Sequence, residues 1–210
     1  MELTWYGQSC FKIKDKNISI ITDPYGEIGL DLPKISADIV TISHGHFDHN
    51  AKEKIEGEPF IINSPGEYEV KGVFIDGIGS EHDKKKGEIF GANTIFVFHL
   101  EDLVVCHLGD LGEKLDSQKL DQIGNVDVLL VPVGGKFTLD VESIVNVINE
   151  IEPKIVIPMH YKIEGLNIEL DDVAKFKEAI GAEATEVEGA LKLQKKDLPE
   201  EGMLVHILKP

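Results

Sequence analysis

The sequence of 210 residues contains no arginine, so lysine is its only strongly basic side chain. With 38 acidic residues against 21 lysines, the formal net charge is −17. Nucleic-acid backbones are bound through basic surfaces, so this balance argues against a nucleic acid as substrate. The simpler alternative is that the acidity only keeps the surface solvated.

Cysteine and long apolar runs are also scarce. Cys10 and Cys106 lie in apolar, strand-like segments, which favours two buried thiols over a secreted disulfide framework. No apolar stretch approaches the roughly 20 residues that span a bilayer. The first residues lack the basic start and apolar run of a signal peptide. We therefore expect a cytoplasmic protein without a membrane partner, folded as one domain over residues 1–210.

Histidine, in contrast, is concentrated in one place. The segment His44-Gly45-His46-Phe47-Asp48-His49, called the histidine loop below, places four side chains that can bind a metal within six residues. Imidazole is the commonest metal ligand in proteins. Crowded imidazoles gain little from packing and repel one another when protonated, and a bound divalent cation removes that cost. A turn with accidental histidines is the alternative, so the context of the motif matters.

That context is a series of strands that end in polar side chains. Residues 37–42 are short, apolar and β-branched, which predicts a buried strand before the histidine loop. Other strand-like segments are followed by Asp23, His82, Asp110 and His160. Sites in α/β folds lie beyond the carboxyl ends of strands. The repeated pattern therefore predicts that these side chains converge.

The remaining segments predict a mixed fold. Apolar residues at helical spacing predict a helix over 140–151, and helices are also predicted over 117–123 and 171–180, the last capped by Gly181. A further helix is expected to begin between Asn50 and Ile55. Half of the strands form hairpins and half alternate with helices. Composition alone would allow any α/β or α+β arrangement.

These residues resemble the metallo-β-lactamase superfamily. The resemblance is carried by Thr22-Asp23-Pro24, the histidine loop, His82, Gly109-Asp110 and His160, in the family's order over nearly the whole chain. The segments 5–11, 107–110 and 158–161 are similar to a branch that holds ascorbate-6-phosphate lactonase-like proteins and other metal-dependent hydrolases. The resemblance implies a four-layer αββα sandwich, an α/β (α+β) fold in which two mixed β-sheets are flanked by helices.

The resemblance also implies a site for two divalent metal ions. One ion would be held by His44, His46 and His82, and the other by Asp48, His49 and His160, with Asp110 bridging them. Zinc is the expected metal, with manganese or iron as alternatives. Two such ions lie roughly 3.5–4 Å apart and share a hydroxide that attacks the substrate. Asp48 and Asp110 are also candidate catalytic groups, because either carboxylate could take a proton.

Each assignment has a simpler alternative. His82 could be an ordinary surface histidine, His160 a core histidine, and Asp110 the cap of a helix beginning near Leu111. Asp23 is predicted to orient a metal-bound histidine. Its alternative role is only to begin the Asp-Pro turn.

Three further residues are candidates for the surroundings of the metals. His107 would support the ligands or line the pocket, with a purely structural role as the alternative. Lys136 and Lys162 follow predicted loops beside the metals and could bind a phosphate or carboxylate of the substrate, although solvated lysines are common. On this basis we expect a small anionic or polar substrate.

The sequence thus predicts a metal-dependent hydrolase of a small ester, lactone or phosphodiester. A non-catalytic regulatory or scaffold protein of the same fold is the alternative, but the complete set of ligands argues against it. An RNA-processing nuclease is disfavoured by the acidity. A redox diiron protein of this family would carry glutamate in place of His46, and a true β-lactamase would belong to another branch. The expected partner is a small molecule, and a homo-oligomer is left open.

Overall fold

Sixteen strands and three α-helices follow one another in the computed structural model, which describes residues 1–210. The strands are β1 (Glu2–Trp5), β2 (Phe11–Asp15), β3 (Ile18–Thr22), β4 (Ile35–Ser36), β5 (Ile39–Thr41), β6 (Ile55–Glu56), β7 (Phe60–Ile62), β8 (Gly66–Val70), β9 (Val73–Glu81), β10 (Ala92–His99), β11 (Val104–His107), β12 (Val128–Pro132), β13 (Ile155–Met159), β14 (Ala184–Val187), β15 (Leu191–Lys192) and β16 (Leu204–Leu208). The helices are α1 (Ser117–Ile123), α2 (Val141–Ile151) and α3 (Val173–Ile180). None of the helices has the length and apolar character needed to cross a bilayer.

The first sheet has six strands in the order β15-β1-β2-β3-β5-β7. Its first half is antiparallel, whereas β3, β5 and β7 run parallel. Successive residues of a strand face opposite sides. Ile20 and Ile39 accordingly face the main core, while Ile21 and Val40 join a smaller apolar cluster. Loop side chains such as Tyr25 complete that cluster and cover the outer face of the sheet.

The second sheet has eight strands in the order β14-β16-β13-β12-β11-β10-β9-β8. Strands β8 to β11 form an antiparallel meander, and β11, β12, β13, β16 and β14 run parallel. Every residue of β12 and β13 is buried, as expected for parallel strands covered on both faces. One face packs on the first sheet, and α2 buries Ile144, Val147 and Ile148 in the same core. The predicted sandwich of two mixed sheets is confirmed.

Pro158 occupies a central strand, where proline is normally excluded because it has no N–H to donate. The amide of Ile155 donates to Asp127 O, beside β12. Amides of alternate residues point the same way, so position 158 points towards β16 instead. The pairing of β16 with β13 ends at Val156. The missing donor of Pro158 therefore lies where no partner strand remains.

Pro132 in β12 follows the same rule. The amide of Val133 donates to Met159 O on the β13 side, so position 132 points towards β11. The pairing of β11 with β12 ends at His107 and Leu130. Both central strands are thus released from one neighbour at their carboxyl ends.

The helix expected to begin between Asn50 and Ile55 is not formed. A single 3-10 turn spans Lys52–Lys54, and Ile55 then enters β6, which pairs with β4 through Ile35. Burial of Ile55 in the smaller apolar cluster accounts for this choice. Cys10 and Cys106 are free and buried, as predicted.

Candidate metal centre

The carboxyl ends of five strands meet where the two sheets come together. Asp23 follows β3, the histidine loop follows β5, and His82, Asp110 and His160 follow β9, β11 and β13. The first two strands belong to the six-stranded sheet and the other three to the eight-stranded sheet. The structure therefore brings together all the side chains that the sequence predicts to converge.

The predicted ligands form two groups of donor atoms. One consists of His44, His46 and His82, and the other of Asp48, His49 and His160; within each group the donor atoms lie within 4.8 Å of one another. This grouping is the one that the family resemblance implies. His46 is exposed at the rim, whereas the other five side chains are buried.

Asp110 lies between the two groups. Its Oδ2 atom is 3.1 Å from His160 Nε2, 3.3 Å from His49 Nε2 and 3.4 Å from His82 Nε2. The distance to His44 Nε2 is 4.0 Å. A carboxylate placed in this way can serve both groups, as a bridging ligand must.

Two of the simpler alternatives have no support in the geometry. His82 is 1% exposed and is not a surface histidine. No helix begins near Leu111, and α1 is capped instead by Asp116, which accepts a hydrogen bond from Lys119 N.

Asp23 fixes the orientation of two of the histidines. It accepts hydrogen bonds from Ser43 N (2.7 Å), Ser43 Oγ (2.6 Å) and His49 Nδ1 (2.9 Å). Because the Ser43 hydroxyl donates to Asp23, it accepts from His44 Nδ1 at 2.9 Å. Both imidazoles then carry their proton on Nδ1 and direct an unprotonated Nε2 inwards. Outer carboxylates that hold metal-bound histidines act in this way.

The unpartnered atoms of this cluster fit a bound cation. His44 Nε2, His49 Nε2 and Asp110 Oδ1 are buried without a hydrogen-bond partner. Buried polar atoms normally have partners, so such a group of exceptions calls for an explanation. All three are atoms that coordinate divalent metals. The donor set of imidazoles and carboxylates suits zinc, and manganese or iron are also compatible with it.

The protonation states agree with this fit. Burial lowers the pKa of His44 to about 3 and also lowers that of His82, so both are neutral, the form that binds metal. Burial opposes ionisation of Asp48, but the hydrogen bond and charge of His49 lower its pKa to about 2. Burial would lower the pKa of His49, yet the carboxylate of Asp110 holds it well above its usual range. Buried carboxylates in excess are stabilised by bound cations.

Gln8 is a participant that sequence reasoning missed. Its buried Nε2 donates to Asp48 Oδ2 at 2.8 Å. Its backbone oxygen accepts hydrogen bonds from Trp5 Nε1 (3.0 Å) and from the amide of His160 (3.0 Å). One residue thus holds two candidate ligands of the same group. The only signal in the sequence was its place in the segment 5–11 that resembles the family branch.

His107 is held as a structural support and does not line the cavity. Its Nε2 donates to Ser9 O at 3.0 Å, and its Nδ1 accepts from the amide of Gly109 at 3.1 Å. Burial lowers its pKa, consistent with a neutral ring. Gly109 has φ of 56°, and a Cβ there would collide with Asn93 and Ser43. Asn93 Oδ1 in turn accepts from the amide of Asp110 at 3.0 Å, a second contact that the sequence did not reveal.

The two lysines predicted to flank the metals do not line the cavity. Lys136 Nζ lies 4.0 Å from Asp171 Oδ1, and its side chain is 45% exposed. Lys162 is exposed, and its backbone amide donates to Asp171 O at 3.0 Å. The substrate-binding role predicted for both lysines therefore has no support in this geometry.

A cavity of about 290 Å³ opens over the candidate ligands. Five of the predicted metal-binding residues form its floor. Its sides, called the apolar wall below, consist of Phe47, Phe90, Phe137 and Ile168. None of these four was predicted as a site residue, because an isolated apolar residue in a loop gives no functional signal.

Comparison with known proteins decides the family. Residues 2–160 match the model of the β-lactamase superfamily domain. The chain belongs to the metallo-β-lactamase superfamily. A UPF0173 protein of Pyrococcus abyssi is 31% identical over 79% of this chain and 85% of its own length. A UPF0173 metal-dependent hydrolase of Methanocaldococcus jannaschii is 27% identical over 86% of this chain and 94% of its own length.

Solved structures of superfamily members agree. A crystal structure from Thermotoga maritima, described as a proposed zinc-dependent hydrolase of the superfamily, matches with a TM-score of 0.81. It is 35% identical, and the match covers 99% of this chain and 98% of the other. A metallo hydrolase from Ignicoccus hospitalis shares the fold at 22% identity and a TM-score of 0.65, over 86% and 90% of the two chains. The predicted superfamily and the predicted class of metal-dependent hydrolase are confirmed.

Proposed function

We propose that the chain hydrolyses a small ester, lactone or phosphodiester at a centre of two divalent ions, with zinc as the metal. The observation that carries this proposal is the position of Asp110 Oδ2, within 3.4 Å of an imidazole nitrogen in each donor group. A single ion would leave one of these groups without a purpose. Bound divalent ions would supply an activated water and stabilise negative charge on the substrate oxygen.

The residues of the chain would perform the remaining tasks. His44, His46 and His82 would hold one ion, and Asp48, His49 and His160 the other, with Asp110 shared between them. Asp23 keeps His49 and, through Ser43, His44 in the protonation state that binds metal. Asp48 is anchored by Gln8 through Oδ2, and its Oδ1 remains available to bind an ion or to accept a proton.

Elemental analysis of metal-loaded protein tests the two-ion centre. We expect about two metal ions per chain, and saturation at one equivalent would contradict the proposal. Replacing His46 by alanine should abolish hydrolysis while the circular dichroism spectrum stays unchanged, because apolar strands hold the fold together. His99→Ala is the matched control, since His99 pairs with Asp76 on the exposed part of the sheet. Tight binding of two ions without turnover of any ester, lactone or phosphodiester would favour a non-catalytic role.

A further inference from the structure

The apolar wall gives the cavity a chemical preference. Phe47 is 65% exposed and Phe137 is 39% exposed, although large apolar side chains usually avoid water. The rings of Phe90 and Phe137 meet edge to face, with centroids 5.9 Å apart. Phe90 also lies 5.4 Å from the ring of His82. Apolar surface therefore borders the candidate metal ligands directly, with no polar layer between them.

The wall is held by backbone contacts. The oxygen of Phe47 accepts from the amide of Gly26 at 2.8 Å, and a Cβ on Gly26 would lie 2.7 Å from that oxygen. The amide of Phe90 donates to Asp83 Oδ2 at 2.9 Å. Asp83 also accepts from the amides of Lys85 and Ile89, which organises a segment that the sequence predicts to be a flexible loop. Exposed rings held in place in this way are available to a ligand at little cost in ordering.

The charge around the cavity points in the same direction. No lysine lines it, and Lys136 lies beside Asp171 instead. The chain as a whole carries a net charge of −17. A carboxylate or phosphate on the part of the substrate that contacts the wall would find no cation there. The volume of about 290 Å³ lies at the small end of the roughly 300–1,000 Å³ of ligand pockets.

We propose that the substrate is an uncharged ester or lactone with a compact apolar group, which packs against the apolar wall. This inference rests on the proposed hydrolase function and replaces the anionic or polar substrate expected from the sequence. In the reaction, the oxygen of water bonds to the acyl carbon and the acyl–oxygen bond breaks. One proton of the water passes to the released alkoxide oxygen, and the carboxylic acid loses the other to solvent.

A matched pair of esters tests the preference. Both 4-nitrophenyl hexanoate and mono-4-nitrophenyl adipate release the same phenol from acyl chains of equal length, but the second chain ends in a carboxylate. We expect kcat/KM of the zinc-loaded enzyme to be at least about tenfold higher for the hexanoate, since burying a few methylene groups accounts for such a factor. Equal values, or a preference for the adipate, would overturn the proposal. So would faster turnover of bis(4-nitrophenyl) phosphate than of either ester.

Variants of the wall locate the preference. Phe137→Ala and Phe90→Ala should raise KM for the hexanoate by about tenfold each and leave the adipate nearly unchanged. Phe74→Ala is the matched control, because Phe74 is 56% exposed on β9 and does not line the cavity. An equal loss in all three variants, or for both esters, would count against the wall as the contact surface.

Binding measurements separate this inference from the hydrolase function. The ketone analogues of the two esters, with CH2 in place of the ester oxygen, cannot be hydrolysed, and calorimetry gives their affinities directly. We expect the hexanoate analogue to bind about tenfold more tightly, and Phe137→Ala to remove the difference. This result without turnover of either ester would reject the hydrolase function and support the apolar subsite. Equal affinities would reject the subsite even if both esters were hydrolysed.

Discussion

Gln8 connects two candidate ligands of the same metal ion. Its side chain restrains Asp48 and its backbone oxygen restrains His160, although the three residues are far apart in sequence. The residue adopts φ of 50°, and His160 adopts φ of 51°. Two non-glycine residues in this uncommon conformation, joined by a hydrogen bond, indicate that the local backbone serves the site.

Replacing Gln8 by methionine should weaken the binding of one metal ion. Methionine has a similar length and cannot donate to Asp48 Oδ2, so the carboxylate loses its restraint. Loss of such outer contacts typically costs about 10- to 100-fold in metal affinity. Competition with a chelator measures the two affinities, and Gln118→Met on the exposed surface of α1 is the control. Unchanged affinities for both ions would show that Gln8 does not position the ligand.

Residues that carry their own chemistry were predictable, and residues that act through distant contacts were not. The histidine loop, His82, Asp110 and His160 announce themselves by donor type and by their place after strands. Gln8 and Asn93 have no such signal, because their role depends on partners 40 and 17 positions away. The apolar wall was equally hidden, since its members differ from core residues only by where the fold places them.

At the level of secondary structure, aspartate caps explain why the helices begin where they do. Asp116, Asp140 and Asp172 each accept a hydrogen bond from a backbone amide in the first turn of the following helix. Gly181 ends α3 in the left-handed conformation, as predicted. These signals are local, so the sequence predicts all three helices. The segment 50–55 was predicted wrongly because its structure depends on pairing with Ile35, which no local signal records.

Removing the cap of α2 should destabilise the protein. Asp140 Oδ1 accepts from the amide of Ser143 at 2.9 Å, and Asp140→Ala should lower the free energy of unfolding by about 1 kcal/mol. Urea denaturation at pH 7 measures this, and Glu150→Ala on the same helix is the control. The contacts with Lys84 and Ser143 lower the pKa of Asp140, so its contribution is present above the unfolded pKa of about 4. The difference from wild type should shrink as the pH falls below that value, and a difference that grows would contradict the cap.

For the whole molecule, net charge is the dominant feature outside the core. A charge of −17 on 210 residues produces self-repulsion in the compact state. Fold and charge are separable here, because the core that holds the two sheets together is apolar. The architecture was predictable from the order of strands and the family resemblance, whereas the loop cover on the outer face of the six-stranded sheet was not.

Screening of this charge should stabilise the fold. Raising sodium chloride from about 10 mM to about 150 mM shortens the Debye length from about 30 Å to about 8 Å. We expect the melting temperature at pH 7 to rise, measured by circular dichroism at constant metal loading. The same comparison near the isoelectric point of about 4.8 is the control, because the net charge is then close to zero and the gain should vanish. A melting temperature that falls with salt at pH 7 would show that ion pairs outweigh the repulsion.

Pro132 and Pro158 have a further consequence for the accuracy of assembly. A slip of β13 by one residue would turn position 158 towards β12, where an amide is needed, and the sheet would lose a hydrogen bond. The same slip would carry His160 to the opposite face. The two prolines therefore act as a proofreading device during folding: an alignment that misplaces this ligand is also one that the sheet itself disfavours.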